Sequence, residues 1–352
     1  MDAPKDTNGT DARFRKARVT VRDIAREAGV SIATVSRAIS NDPAIAQDTR
    51  NRVLLLASDM GYSPNLFARG LITRRSGIVA VFANNITNPF YPEVMVKLTR
   101  RMQDEQLHTM LFTSDENEEV ERALPMLRQL NPDVAVILAA TMTSKALGNF
   151  EDSRTPVILF NRYVEGAAAS SVCCDNYEGG RMVAQRLAAA GHRHLAFIEG
   201  LPNASTSVDR RKGFLDGCAE AGLAPPLVRA AGDFTYESGY MAIQDLFASG
   251  CPMDAVFCAN DIVAIGAMDA ARGVLGLSIP DDLSVIGFDD IAMANWPSHD
   301  LTTVRQPMNA MIDRVATEIS RILQTEGQPP EKHFLPGRLM VRGSAHLSPM
   351  KE

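Results

Sequence analysis

Between Val19 and Ser40 the chain reads VTVRDIAREAGVSIATVSRAIS, a stretch whose side chains suit recognition of bases and phosphates rather than bond making. Arg37 can fork onto the O6 and N7 of a guanine. Thr20, Thr34, Ser36 and Asn41 are short polar groups of the kind that hold phosphate oxygens. Two helices must position them. Ile24, Ala25, Ala28, Val35 and Ile39 recur at helical spacing, with Gly29 at the turn between. Thr20 and Asp23 have capping-box spacing for the first helix, and Ser31 can cap the second. The pattern predicts a helix-turn-helix, whose second helix enters the major groove with its N-terminal residues leading. Any αα-hairpin would use similar apolar spacing, so the charge distribution has to decide.

It decides for DNA. A third helix is expected over Gln47 to Met60, with Val53, Leu56, Ala57 and Met60 on one face and Gly61 as its stop. Residues 13–76 hold 12 Arg and Lys against 5 Asp and Glu, a balance of +7, although the whole chain stands at −6. A basic head on an acidic body is expected when only one end meets phosphate. Arg50, on the third helix, can touch phosphate or remain a solvated surface charge.

The rest excludes several classes. There is no P-loop and no GxGxxG fingerprint, and the six histidines (His108, His192, His194, His299, His333 and His346) form no ligand set of metal spacing. No enzyme activity, metal or cofactor is expected. The five cysteines lack metal spacing, and Cys173-Cys174 reads as strand packing. No run of 18 apolar residues exists and no signal-peptide core is recognisable, so a cytoplasmic protein without membrane contact is expected. Apolar runs at Gly77–Ala83, His108–Thr113, Val134–Ala139, Pro156–Phe160, Ser171–Cys174, His194–Glu199, Ala255–Ala259 and Leu283–Gly287 read as buried parallel strands. Amphipathic stretches such as Tyr91–Glu105, Gly179–Ala190 and Asp261–Arg272 lie between them as crossover helices. This is the α/β pattern of doubly wound parallel sheets, long enough for two. Such sheets meet ligands at the carboxyl ends of their strands.

With these features stand Tyr62, Pro64, Asn65, Ala68, Arg69 and Leu71 (Y-x-P-N-x-x-A-R-x-L), NPFY at Asn88–Tyr91, and DN-x-x-GG at Asp175–Gly180. R-x-x-G-F at Arg210–Phe214, Asn260-Asp261, VIGFDD at Val285–Asp290 and LTTVRQP at Leu301–Pro307 follow in order. The chain resembles the lactose-repressor (LacI/GalR) family of bacterial transcription regulators from about residue 18 onward.

The resemblance implies a disordered tail over 1–17, a helix-turn-helix domain over 18–63, a hinge helix or linker over 64–76 and an effector-binding core over 77–352. That core would be periplasmic-binding-protein-like, with an N-lobe of about 77–175 plus 305–335 and a C-lobe of about 176–304 plus 336–352. It places Ile32 and Ala33 at the base-discriminating positions, where their contacts can only be apolar. Asn65, Phe67, Ala68, Arg69 and Leu71 would order on DNA, with Leu71 wedging into the minor groove. Phe90, Tyr91, Asn161, Arg210, Phe234, Asn260, Asp289 and Gln306 would surround a small polar effector, a sugar or sugar acid. From the residues alone, Asn260 can equally cap a helix starting at Asp261, and Phe234 can equally be core. The implied partners are a pseudo-palindromic DNA operator and a second copy of the chain, giving a homodimer. The implied function is a regulator, in the usual case a repressor. A sugar-binding protein without a DNA role would share the lobes but would not need the basic head.

Overall fold

The computed structural model describes residues 19–40, 42–62, 75–84, 86–114, 126–127, 129–138, 155–325 and 327–347. The chain divides between Ser76 and Gly77 into two units.

The first unit packs α1 (Val21–Ala28), α2 (Ile32–Ile39) and α3 (Gln47–Asp59) around Ile24, Val35, Ala38 and Val53, all buried. The N–H and the hydroxyl of Thr20 both donate to the Asp23 carboxylate, at 2.9 and 2.7 Å, and this holds Asp23 below the usual carboxylate range. Ser31 caps α2 by accepting the Thr34 N–H. Gly29 takes the left-handed φ of 63° that closes α1 and starts the tight turn. Ala38, not Ile39, is the buried residue in the last turn of α2, and Ile39 sits at the rim.

Among the described residues, the second unit contains two six-stranded sheets. Strands β1 (Ile78–Asn84), β2 (His108–Ser114), β3 (Val134–Leu138), β4 (Val157–Phe160) and β5 (Ser170–Cys174) build the first, with α4 (Phe90–Asp104) packed on β2. Helices α5 (Asn176–Ala189), α6 (Ser205–Glu220), α7 (Tyr236–Ala248) and α8 (Asp261–Gly273) accompany the second, built from β6 (Leu195–Glu199), β7 (Leu227–Ala230), β8 (Ala255–Cys258), β9 (Ser284–Asp289) and β10 (Thr302–Arg305). The chain then returns through α9 (Met308–Gln324) to β11 (Lys332–Leu335), beside β5, and ends its strands with β12 (Arg338–Met340), antiparallel to β10. Strand order is β11-β5-β4-β3-β1-β2 in one lobe and β12-β10-β9-β8-β6-β7 in the other, so the chain passes between the lobes three times. Apart from β10–β12, every pairing among the described residues is parallel.

Continuous apolar runs are expected of strands buried on both faces, and β3, β5, β8 and β9 are buried at every position. The four strands that hydrophobicity does not reveal are β7, β10, β11 and β12. Three of them lie at sheet edges with exposed positions, and β10 is a threonine-rich run whose hydroxyls are bonded inside. Cys173 and Cys174 are buried thiols, and burial pushes Cys174 up to about 12, so neither is a reactive thiolate at neutral pH. Glu318, Glu331 and His333 lie close together, but Arg321 and Ser170 already occupy the Glu318 carboxylate, binding α9 to β5. No helix among the described residues is long and apolar enough to cross a membrane.

Helices α5 and α6 meet through glycine. A Cβ on Gly180 would overlap the Arg210 carbonyl oxygen, and one on Gly213 would overlap that of Tyr177. These motif glycines therefore serve close helix packing, which brings Asn176 at the start of α5 alongside Arg210.

Candidate DNA-reading face and effector cleft

On the first unit, Ile32 is 50% exposed although it opens a helix whose other face is core. Ala33 is exposed beside it, and Arg37 projects with 62% of its side chain exposed, 3.9 Å from Asp42. An apolar pair left in water next to a projecting guanidinium has no stabilising role within the head. Thr34 shares its hydroxyl with Ser31 at 2.8 Å, the local alternative to a phosphate contact, while Thr20 is exposed and Ser36 half-buried. Arg50 has an internal role instead of a surface one. It donates to the backbone carbonyls of Asp42 and Ile45 and to Gln47, holding the loop before α3. Asn41, Asn65, Phe67, Ala68, Arg69 and Leu71 lie outside the described residues.

In the second unit, the predicted effector residues form two wired groups. In one lobe, the Asn161 amide donates to the Tyr91 hydroxyl at 3.1 Å, and the Phe90 and Tyr91 rings meet edge to face. Phe90 is almost completely buried at 1% exposure and belongs to the core, so Tyr91 is the aromatic that carries a polar end. In the other lobe, Arg210 Nε donates to Asn176 at 2.8 Å, Nη1 to the Ala259 carbonyl at 2.5 Å, and Nη2 to Asp289 at 3.4 Å. Its guanidinium lies 3.6 Å from the centre of the Phe288 ring, and the residue is 2% exposed. Gln306, at the return crossing, donates to the same Asp289 oxygen at 2.8 Å. Burial pulls Arg210 down and pushes Asp289 up from their ordinary values, each opposed by the other's charge. Burial also raises Tyr91, and it feels the charges of Arg162, Asp289 and Arg210, which puts both groups in one electrostatic environment.

Asn260 takes the helix-capping role that its residue type equally allows. Its side-chain oxygen accepts the Val263 N–H and caps α8, leaving only its amide nitrogen for any ligand. Asp261 is a hub that the sequence alone did not disclose. It accepts from Thr303 at 2.5 Å and from the Ile291 N–H at 2.9 Å, and burial, reinforced by the Asp289 charge, pushes it well up. Three non-glycine residues at this face have left-handed backbone: Asn161 (φ 69°), Asp289 (φ 122°) and Asp290 (φ 60°). Such strain persists only where its surroundings over-determine it, as at ligand sites. Asp290 in turn is gripped by Arg305 and Arg342, at 2.5 and 2.6 Å, which ties two of the three crossings together. A groove of about 960 Å³ has Asp289, Gln306, Arg305 and Arg342 in its wall, but not Tyr91, Asn161, Arg210, Phe234 or Asn260.

Direct contacts also join the lobes. Arg162 lies over the Phe234 ring at 5.2 Å, and Phe234 is itself buried against Gly200. Tyr163 donates its N–H to Ser205 at 3.0 Å and its hydroxyl to Asp209 at 3.1 Å, next to Arg210 on α6. Neither Tyr163 nor Asp209 belongs to a motif, so sequence alone did not single them out. Removing the hydroxyl in Tyr163→Phe is expected to loosen this latch by about 1 kcal/mol, or about five-fold in local opening. Hydrogen exchange at the first turn of α6 and at the residue 163 amide should quicken accordingly. Unchanged exchange would show that the latch does not hold the lobes together.

A basic helix-turn-helix followed by two parallel-sheet lobes with a polar, partly strained site between them defines a ligand-responsive DNA-binding regulator. Residues 20–65 match the family described as bacterial regulatory proteins, lacI family, and 184–345 match the periplasmic binding protein-like domain. The chain belongs to the lacI family. It is 33% identical over 304 residues to the transcriptional regulator GalS of Salmonella typhimurium, covering 86% of this chain and 89% of that one. It is 29% identical to the probable repressor ExuR of Bacillus subtilis, over 93% and 98% of the two chains. The solved CelR–cellobiose complex superposes with a TM-score of 0.71 at 29% identity, covering 93% of this chain and all of that one. The lac repressor dimer bound to operator and the anti-inducer ONPF superposes at 0.82 with 22% identity, over 94% and 100% of the chains, which shows the shared fold. The protein is a transcription regulator and not an enzyme.

Proposed function

We propose that this chain represses transcription as a cytoplasmic homodimer on a two-fold operator, and that a sugar-class metabolite bound between its core lobes changes that grip. The exposed Ile32-Ala33 pair at the leading end of α2, with the exposed Arg37 further along the same helix, carries the DNA half of this reading. Ile32 and Ala33 contact thymine methyls or exclude other bases by shape, and Arg37 forks onto a guanine. The segment 64–76 acts as the hinge, with Leu71 kinking the central base step. A cellobiose complex of one relative and the ribose-bound structure of another, from Enterococcus faecium, support a sugar as effector. Linkage requires that an effector which weakens DNA binding is itself bound more weakly by the DNA complex.

Arg37→Ala is expected to lose about 10- to 100-fold in preference for a duplex selected from a palindromic library, matching the 1–3 kcal/mol of a bidentate base contact. Fluorescence anisotropy on the selected and on random duplex, at two salt concentrations, measures it. Equal losses on both duplexes would make Arg37 a phosphate contact.

A further inference from the structure

We infer that the cleft selects a neutral, hydroxyl-rich ligand that donates hydrogen bonds, and that it discriminates against sugar acids. This rests on the reading of the core as an effector site and specifies its chemistry. An arginine can hold a ligand carboxylate bidentately, but the structure leaves Arg210 little to offer. Its Nε, Nη1 and Nη2 are directed to Asn176, the Ala259 carbonyl and Asp289, and the Phe288 ring covers its face. The place beside it where a ligand carboxylate would dock already holds a carboxylate. Asp289 is buried and draws on the positive charges of both Arg210 and Arg162. A second carboxylate placed directly against Asp289 would be repelled by it at short range.

Two buried side-chain acceptors at this face stand ready for a donor. Gln306 is 3% exposed, and its Oε1 is buried without a hydrogen-bond partner among the described residues. Its orientation is fixed, because the amide nitrogen must face the Asp289 carboxylate. Asn161 is 4% exposed, and its Oδ1 is likewise buried and unpartnered, while its nitrogen faces the Tyr91 hydroxyl. Both residues stand among the motif positions at the lobe crossing and the β4 carboxyl end, not in featureless core. Buried acceptors without donors are unfavourable until something supplies O–H or N–H groups. A neutral sugar supplies several hydroxyls. A carboxylate supplies further acceptors instead.

Calorimetric titration of the full chain with matched pairs tests this: D-galactose against D-galacturonate, D-glucose against D-gluconate, D-ribose against D-ribonate. A neutral member is expected to bind, with its acid partner about 10- to 100-fold weaker. Gln306→Leu is expected to weaken the neutral ligand to a similar degree; because it also removes a donor to Asp289, its unliganded melting temperature is measured beside it. Where that variant melts early, Gln306→Glu serves: it should lose the ligand at neutral pH by adding a charge beside Asp289. An acid that binds as tightly as its neutral partner, unaltered affinity in a folded Gln306 variant, or no binding by any neutral member would each overturn the inference. Operator binding is scored in parallel on the same preparations. Its persistence with failed titrations removes only the ligand assignment, whereas its absence removes the regulator reading itself.

Discussion

Arg210→Ala is expected to destabilise the core by about 3–5 kcal/mol, the range for removing one partner of a buried ionic pair. The family resemblance implies an effector contact at this position. The structure argues otherwise. Without the guanidinium, Asp289 keeps a buried charge facing only Gln306 and the more distant Arg162. The Asn176 oxygen and the Ala259 carbonyl lose their donor at the same time, and the Phe288 ring loses the group that covers it. Arg210→Lys should recover only part of this, because an ammonium cannot reach three directions with a planar fork. Urea unfolding of the core, followed by far-ultraviolet circular dichroism, gives the measurement. Parental stability in Arg210→Ala, with ligand binding abolished, would return this arginine to the role of a ligand contact.

The difference between the two views of Arg210 shows what a sequence can transmit. Helix caps are local, so Thr20, Asp23 and Ser31 could be read directly, and each forms the bond its spacing implies. Buried parallel strands write themselves as apolar runs, so most of both sheets could be placed to within a few residues. The identity of a polar side chain gives its capacity to bond, but not which bonds are already taken. Arg210 and Arg50 both have donors suited to an external anion, and both direct them inward to carbonyls that no spacing rule locates. Asn260 shows the same limit: one residue type serves as helix cap and as ligand group, and three-dimensional context assigns the cap.

Contacts between distant segments were the least legible. Tyr163 and Asp209 are 46 residues apart, and their pairing depends on how two lobes close, which leaves no periodic trace. The short edge strands β11 and β12 are similarly silent, since their exposed positions break any apolar pattern. Asp261 gave a partial signal, as half of the Asn260-Asp261 motif. Its connection to Thr303 and to the Ile291 N–H emerges only once β9, β10 and α8 share one end of the sheet.

The glycines of the motifs were visible, but their purpose was not, and this yields the other large expected effect. Gly213→Val should destabilise the second lobe by about 3 kcal/mol or more, at or beyond the upper end for overpacking a tight interface. The clash is with the backbone carbonyl of Tyr177, which cannot rotate away as a side chain would. Helices α5 and α6 must separate, and that separation pulls Asn176 from Arg210, so the injury at the crossing reaches the cleft. Gly217→Ala provides the graded comparison. An added methyl there meets the Arg181 carbonyl oxygen at 2.8 Å and the Ala184 methyl at 2.9 Å, a clash with backbone too, but a smaller intrusion than at Gly213. The melting temperature should therefore fall much further for Gly213→Val than for Gly217→Ala. Equal, small losses in both would mean that α5 and α6 have freedom to part, and that the close approach at Gly213 is not what sets the position of Arg210.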